Sequence, residues 1–592
     1  MKLLSLRLLL LLGFFSISVV AQKNYKIHSH NDYGQDFPFW KAYVSGASSI
    51  EIDVFLQHRK LYVTHAEEEI SPEKTIENLY LDPLSKLAKS GKLRKVQILV
   101  DIKSDARKTL EKLVKIVKNR PELAENNNLR FVISGNRPQP SEYKNYPDFI
   151  HFDHQYLENL TTIALEKIAL VSVNFKDFSV WNGLGRMTET DLARVKNAIA
   201  QAHSVHKPFR FWGAPDTETA WSRFAELGID FINTDHPVRA SQYLETLDSR
   251  KFQLQQKIPI YHPHFAYAED DKPKNVVLLI GDGNGLSQIS SAMIANGGAL
   301  TLTQLKTLGL IKTFSFDDLV TDSAAGGTAM ATGAKTNNRA IGTDPSGKPL
   351  KNITETLSAH GFLNGVMTTD KITGATPSTF YAHVPERDDS ATILKDLAKS
   401  KIDFFVSAGA NDFDAIHQDF ERKKLADITD FSKRTAVFLS ENDLDTASKR
   451  GTIFPEHVKK VLQTLENQEK PYFLMIEAAK IDSNGHNNNV SGIVEEMLDF
   501  DQAIAEVLKV ADKNENTLVV ITADHETSGF GILQGSLKNG ELKGDFLTND
   551  HTATMVPLFA YGPQSGLFQG VFENTEIHNK IIQALQIEVA KK

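Results

Sequence analysis

The 592-residue chain contains no cysteine. Disulfides, thiolate zinc sites, thiol nucleophiles and the acylated cysteine of a bacterial lipoprotein are thereby excluded. Stability must rest on packing and bound metal, and any metal must be held by imidazole and carboxylate. An excess of positive charge is also lacking: 66 Lys and Arg face 74 Asp and Glu, for a net charge of −8. That argues against a nucleic-acid surface, whose affinity depends on neutralising phosphates. Small phosphate esters stay open, because local cations decide that case. After the N-terminus no segment could cross a bilayer, since a span needs roughly 20 apolar residues. Internal repeats and low-complexity segments are absent too.

What is present is a globular composition, 41% hydrophobic and 24% charged, in a chain too long for one ordinary core, so two domains are expected. Lys2 and Arg7 precede an apolar run over 8–15 and the small-residue stretch ending Val19-Val20-Ala21, the layout of a secretory signal peptide over 1–21. The mature protein is then expected to be periplasmic or secreted, with no stable membrane anchor after cleavage.

Over 22–248, short apolar runs at 25–27, 50–55, 96–102, 129–133, 149–152, 169–173, 209–212 and 229–232 alternate with helical stretches. About eight strands in this length predict a (β/α)8 TIM-like barrel. Residues 249–273, rich in proline and charge, read as a linker. The remainder, 274–592, contains continuous apolar strands at 276–280, 472–476 and 518–522. Such runs fit strands covered on both faces, hence an α/β/α sandwich around a largely parallel sheet. All three deliver acidic groups at their C-terminal ends: Asp282, Glu477 and Asp524. Open α/β sheets bind ligands at that edge.

Ser323 lies in Thr321-Asp322-Ser323-Ala324-Ala325-Gly326-Gly327, where small residues leave room around the hydroxyl and a helix start offers unpaired N–H groups to an anion. Asp482 and His486, four apart, can share one face of a turn, with His551 as a third ligand. Asp282, Asp524 and His525 can form a second trio. Two zinc ions about 4 Å apart would ionise the serine and steady the departing oxygen.

In the order and spacing of these segments the second half resembles the alkaline phosphatase family. The resemblance implies Ser323 as the phosphorylated nucleophile, one Zn2+ at Asp482, His486 and His551, and a second at Asp282, Asp524 and His525. Through Thr373-Gly374-Ala375-Thr376-Pro377 and the segment ending in Arg387, it implies a Mg2+ at Asp282, Thr376 and Glu477, and Arg387 as a bidentate phosphate clamp. The chain departs from the family at Gly374, where Asp or His is common, and at Ser483. The stretch between His525 and His551 is short, so the family's usual dimer is not carried over and the oligomeric state stays open.

In the first half, Glu51 and Asp53 alternate on one strand, and Asp101 on the next is a third oxygen ligand for Ca2+ or Mg2+. His28 and His65 suit general acid and base roles. These residues resemble the phosphatidylinositol-phospholipase-C-like and glycerophosphodiester phosphodiesterase superfamily, whose late Thr-Asp-x-Pro turn matches Thr234-Asp235-His236-Pro237. Ser29 and Ala66 stand where that superfamily has Arg and Asp, and Lys103 is the candidate replacement cation for substrate. The expectation is an exported bifunctional phosphohydrolase acting on small phosphodiesters and phosphomonoesters. Its rival is the same phosphatase carrying an inactive barrel used for binding or targeting.

Overall fold

The computed structural model describes residues 25–588 apart from 159, 161 and 162. The expected signal peptide, 1–21, lies outside the described residues. Two compact units divide the chain between Asp248 and Ser249. Among the described residues no helix is long and apolar enough to cross a membrane.

The first unit contains strands β1 (Lys26–Ser29), β2 (Ser49–Gln57), β3 (Lys60–Val63), β4 (Val96–Ile102), β5 (Leu129–Gly135), β6 (Ile150–His154), β7 (Ile168–Asn174), β8 (Phe209–Trp212) and β9 (Phe231–Thr234). Eight of them run parallel in the order β1-β9-β8-β7-β6-β5-β4-β2, and β1 pairs with β9 on one side and β2 on the other, closing the barrel. The ninth strand, β3, folds back antiparallel on β2 and is not anticipated by the sequence reading. Its turn places His58 and Arg59 both at positive φ, 47° and 61°, a geometry usually announced by Asn-Gly and here built from residues that do not advertise it. Helices Ala106–Lys118, Glu189–Ser204, Glu218–Leu227 and Pro237–Glu245 follow the strands, but β5 and β6 are connected through a short 3-10 turn, Pro140–Asn145. Pro138, Pro140 and Pro147 deny that connection the N–H groups of a full helix.

The second unit contributes β10 (Lys251–Gln253), β11 (Asn275–Gly281), β12 (Thr307–Lys312), β13 (Leu363–Lys371), β14 (Phe404–Ala408), β15 (Glu421–Arg422), β16 (Thr435–Phe438), β17 (Tyr472–Ala478), β18 (Thr517–Thr522), β19 (Glu526–Thr527), β20 (Gly531–Ser536), β21 (Glu541–Asp545), β22 (His551–Thr552), β23 (Val556–Tyr561) and β24 (Gly570–Glu573). Ten form one sheet, β15-β16-β14-β13-β17-β11-β18-β23-β12-β24, parallel except where β23 meets β18 and β12. Val277, Leu279, Leu474, Ile476, Val519 and Ile521 enter one apolar layer. Their alternates Val276, Leu278, Phe473, Met475, Leu518 and Val520 enter the other. That alternation between two buried layers is why the three central strands read as unbroken apolar runs.

The linker reading of 249–273 needs correction. β10 pairs antiparallel with β21, the Tyr261 hydroxyl donates to Asp512 at 2.6 Å and the Phe265 N–H donates to Tyr561 Oη at 2.9 Å. These aromatic residues bury area against the second unit, so the stretch packs as part of it despite its proline content.

A buried ion cluster anchors the long helix Val490–Asn514: Arg450 donates to both oxygens of Glu496 and to Asp499, with all three side chains nearly inaccessible. Replacing Arg450 by alanine would strand two carboxylates in the core, at a cost of roughly 3–5 kcal/mol. A matching drop in the urea midpoint of the second unit is the expected result, and an unchanged midpoint would contradict it.

Candidate active sites

In the second unit β17, β11 and β18 lie side by side, so their C-terminal ends place Glu477, Asp282 and Asp524 in one row. The Asp282 N–H donates to the Ala478 carbonyl at 3.2 Å, and the Gly283 N–H to Asp524 Oδ1 at 3.3 Å. Gly283 has φ +72°, and a Cβ there would stand 2.7 Å from Thr527 Oγ1 and 2.8 Å from Asp482 Cα. Only glycine lets the loops after β11 and β18 approach this closely.

The helix Lys480–His486 puts Asp482 and His486 on one face, His486 Nε2 lying 3.3 Å from Asp482 Oδ2. Pairing of β22 with β19 brings in His551, whose Nε2 is 3.5 Å from Asp482 Oδ1 and 3.1 Å from His486 Nε2. A second trio abuts the first: His525 Nε2 is 3.4 Å from Asp282 and 3.3 Å from Asp524, all three buried. The His525 and His551 rings stack with centroids 3.6 Å apart. Two imidazoles are turned by outer hydrogen bonds, His486 Nδ1–H to the Asn549 carbonyl at 2.7 Å and His551 Nδ1–H to the Thr321 carbonyl at 2.9 Å. Their Nε2 atoms therefore face inward, the orientation that metal ligands require.

Electrostatically this pocket calls for cations. Burial, reinforced by Asp524 and its acidic neighbours, pushes the Asp282 carboxyl well above the usual carboxylate range. Burial and then Asp370 raise Glu477 to about 8, and burial and Asp482 raise Asp524 to about 6. Asp482, although buried, is held low by hydrogen bonds from His486 and His551, and the reciprocal bond lifts His486 to about 9. Asp282 Oδ1, Asp524 Oδ2 and Thr376 Oγ1 are buried with no hydrogen-bond partner. Crowded anions and orphaned oxygens fit bound divalent metal.

Ser323 opens the helix Ser323–Thr332, capped by Asp322, whose side chain accepts from the Ala325 N–H at 2.9 Å. The Ser323 hydroxyl lies 3.2 Å from His525 Nε2, beside the second trio. Asp322 also accepts from Arg387 Nη1 at 3.0 Å, tying the guanidinium to the same turn. Thr376 is buried near Glu477. Asp550, which the sequence reading passes over, also groups with His486 and His551. Its only signal is adjacency to His551.

The barrel mouth holds a cavity of about 470 Å³ lined by His30, Glu51, Asp53, His65, Asp101, Lys103, Arg210 and Trp212 among others. Oxygens of Glu51, Asp53 and Asp101 cluster within 4.8 Å of one another, because β2 and β4 run in register with Asp53 opposite Asp101. Lys103 Nζ sits 3.1 Å from Asp101 and 3.4 Å from Asp53. His65 Nδ1 is 3.1 Å from Asp53 Oδ2 at the exposed rim.

His28, expected from the sequence as an acid–base group, does not line this cavity. His28 is fully buried below the cavity, with Nδ1 on Ser49 Oγ at 2.7 Å and Nε2 on Glu51 at 2.6 Å. Burial and the neighbouring Arg210 depress its pKa to about 3. The imidazole at the mouth is His30, one alternation further along the same face, with Nδ1 2.8 Å from Asp235 Oδ1. Although burial opposes it, this hydrogen bond raises the His30 pKa. Arg210 on β8, 2.7 Å from Glu51, was also missed. A cation between Phe209 and Phe211 in an apolar strand was its available signal.

The alkaline phosphatase family model matches residues 273–413 and 438–542. The AIM6-like phosphodiesterase domain matches 18–96, and the glycerophosphoryl diester phosphodiesterase family 208–238. Alkaline phosphatase 3 of Bacillus subtilis is 28% identical over 417 residues, 54% of this chain and 90% of that protein. The alkaline phosphatase of Escherichia coli K12 is 28% identical over 54% of this chain and 87% of its own length. Among solved structures, alkaline phosphatase from the Antarctic bacterium TAB5 superposes with TM-score 0.51 at 36% identity, covering 54% of this chain and all of that one. A variant of that enzyme was solved with magnesium bound in its M3 site.

Proposed function

Because the chain belongs, through its second unit, to the alkaline phosphatase family and is a phosphoric monoester hydrolase, we propose that Ser323 is its nucleophile and that the barrel is a second, phosphodiester-cleaving site. The observation that carries the phosphatase assignment is the contact of two three-ligand sets, Asp482/His486/His551 and Asp282/Asp524/His525, beside one buried hydroxyl. The nitrogen and carboxylate donors suit two zinc ions. When bound, those ions supply the charge that ionises the hydroxyl and steadies the departing oxygen. Arg387, held by Asp322, grips two phosphate oxygens in line with Ser323. Ser323 attacks phosphorus, the ester oxygen leaves, and water then hydrolyses the phosphoserine to release phosphate.

In the barrel, Glu51, Asp53 and Asp101 form an all-oxygen set suited to Ca2+ or Mg2+. His30, oriented by Asp235, and His65 across the mouth act as acid and base, while Lys103 and Arg210 face the diester's charge. Export to the periplasm or beyond completes the reading, since the two reactions in sequence would free phosphate from an extracellular diester.

Two substrates separate the sites. On bis-p-nitrophenyl phosphate, Asp53→Asn and His30→Ala are each expected to lose about 100-fold or more, while p-nitrophenyl phosphate hydrolysis stays at the wild-type rate. Diesterase activity that survives both changes would sink the barrel assignment. Its absence from the wild type would instead favour a barrel used for binding.

A further inference from the structure

Position 374, two residues before Thr376, is glycine, and the structure shows what occupies the space a side chain there would take. A Cβ on Gly374 would lie 2.6 Å from Asp370 Oδ2 and 3.1 Å from the Lys371 carbonyl. The carboxylate of Asp370, a residue exposed at the end of its strand, occupies that volume. The strand brings it there: pairing of β13 with β14 slips register between Met367 and Lys371, and an irregularity of this kind re-aims side chains at a strand's end.

Two further features converge on the same spot. The Asp370 N–H donates to Thr368 Oγ1 at 2.9 Å, and that hydroxyl donates to Glu477 Oε2. Thr376, only 1% exposed, turns its hydroxyl toward the Glu477 carboxylate. Among the described residues no lysine or arginine pairs with Asp370, and the helix that follows takes no side-chain cap from it.

We infer that Asp370 supplies the carboxylate that Gly374 cannot, so that Asp370, Thr376 and Glu477 hold a magnesium ion beside the paired-cation site. Two carboxylates and a hydroxyl, with water completing an octahedron, match what this hard cation takes from proteins. The inference rests on the reading of the second unit as a metal-dependent phosphatase.

Equilibrium dialysis of the zinc-loaded full chain against rising Mg2+, with both metals counted in each sample by mass spectrometry, tests it. Wild type is expected to bind one magnesium per chain. Asp370→Asn should weaken that ion about tenfold or more with zinc content and thermal midpoint unchanged. Asp370→Ala combined with Gly374→Asp, which opens the volume and moves the carboxylate to position 374, should recover it. Wild-type magnesium affinity in Asp370→Asn would overturn the inference, as would zinc-replete wild type that binds no third ion, or loss of zinc together with magnesium. A wild type that binds no zinc and does not hydrolyse p-nitrophenyl phosphate would overturn the underlying phosphatase reading instead.

Discussion

Ser323→Ala is expected to lower kcat for p-nitrophenyl phosphate by roughly three orders of magnitude or more, leaving the fold and diester cleavage unchanged. The size of the effect follows from the site's economy of groups. Ser323 is 4% exposed at the start of its helix, with its hydroxyl against His525. Water entering in its place would lack the fixed approach that the helix start and Asp322 impose. Quenching the wild type with acid during turnover should trap phosphate on the peptide containing Ser323, and the alanine variant should trap none. A variant kcat within tenfold of wild type would remove Ser323 from the mechanism.

Stripping the metals with a chelator is expected to abolish monoesterase activity and to lower the stability of the second unit by about 4 kcal/mol or more, the linkage value for ligands present at a thousand times their dissociation constant. The metal-free protein should also acquire a distinctive pH dependence. Glu477 is raised from its ordinary 4.5 to about 8, so the folded state binds more protons than the unfolded state between those values. Its contribution is complete below about 4.5 and is lost as pH rises through about 8. His486, raised from 6.5 to about 9 by Asp482, acts with the same sign, though its exposure screens it. Asp482, held low, titrates far below this window. From pH 7 to 9 the metal-free thermal midpoint should therefore fall, by the equivalent of about 1–2 kcal/mol from Glu477 alone, while the zinc- and magnesium-loaded protein stays nearly level. Parallel profiles for the two forms would show that these carboxylates do not face cations.

The sequence was most legible where chemistry and burial coincide. Strands β11, β17 and β18 announced themselves because both faces are covered, and Asp282, Glu477 and Asp524 mark where those apolar runs stop. His486 and His551 were legible through helical spacing and order, although nothing local predicts that β22 pairs with β19 to bring His551 home. The sequence offers both His28 and His30 at the end of the first barrel strand. It could not say which is at the mouth, because depth depends on how far β1 runs before the chain turns. Arg210 was hidden because a cation inside an apolar strand gains its meaning only from Glu51, 159 residues away. Asp370 was hidden for the opposite reason: the visible signal was an absence at Gly374, and the group filling it sits four residues earlier on a slipped strand.

The first barrel strand closes against the last, with His28 opposite Asn233 and Ser29 opposite Thr234. During synthesis, then, the residues that lead into His30 wait some two hundred positions for their neighbour, and Asp235, which orients that imidazole, emerges later still. Contacts this distant in sequence assemble slowly. The cluster at the barrel mouth is thus completed only when nearly the whole unit has been made.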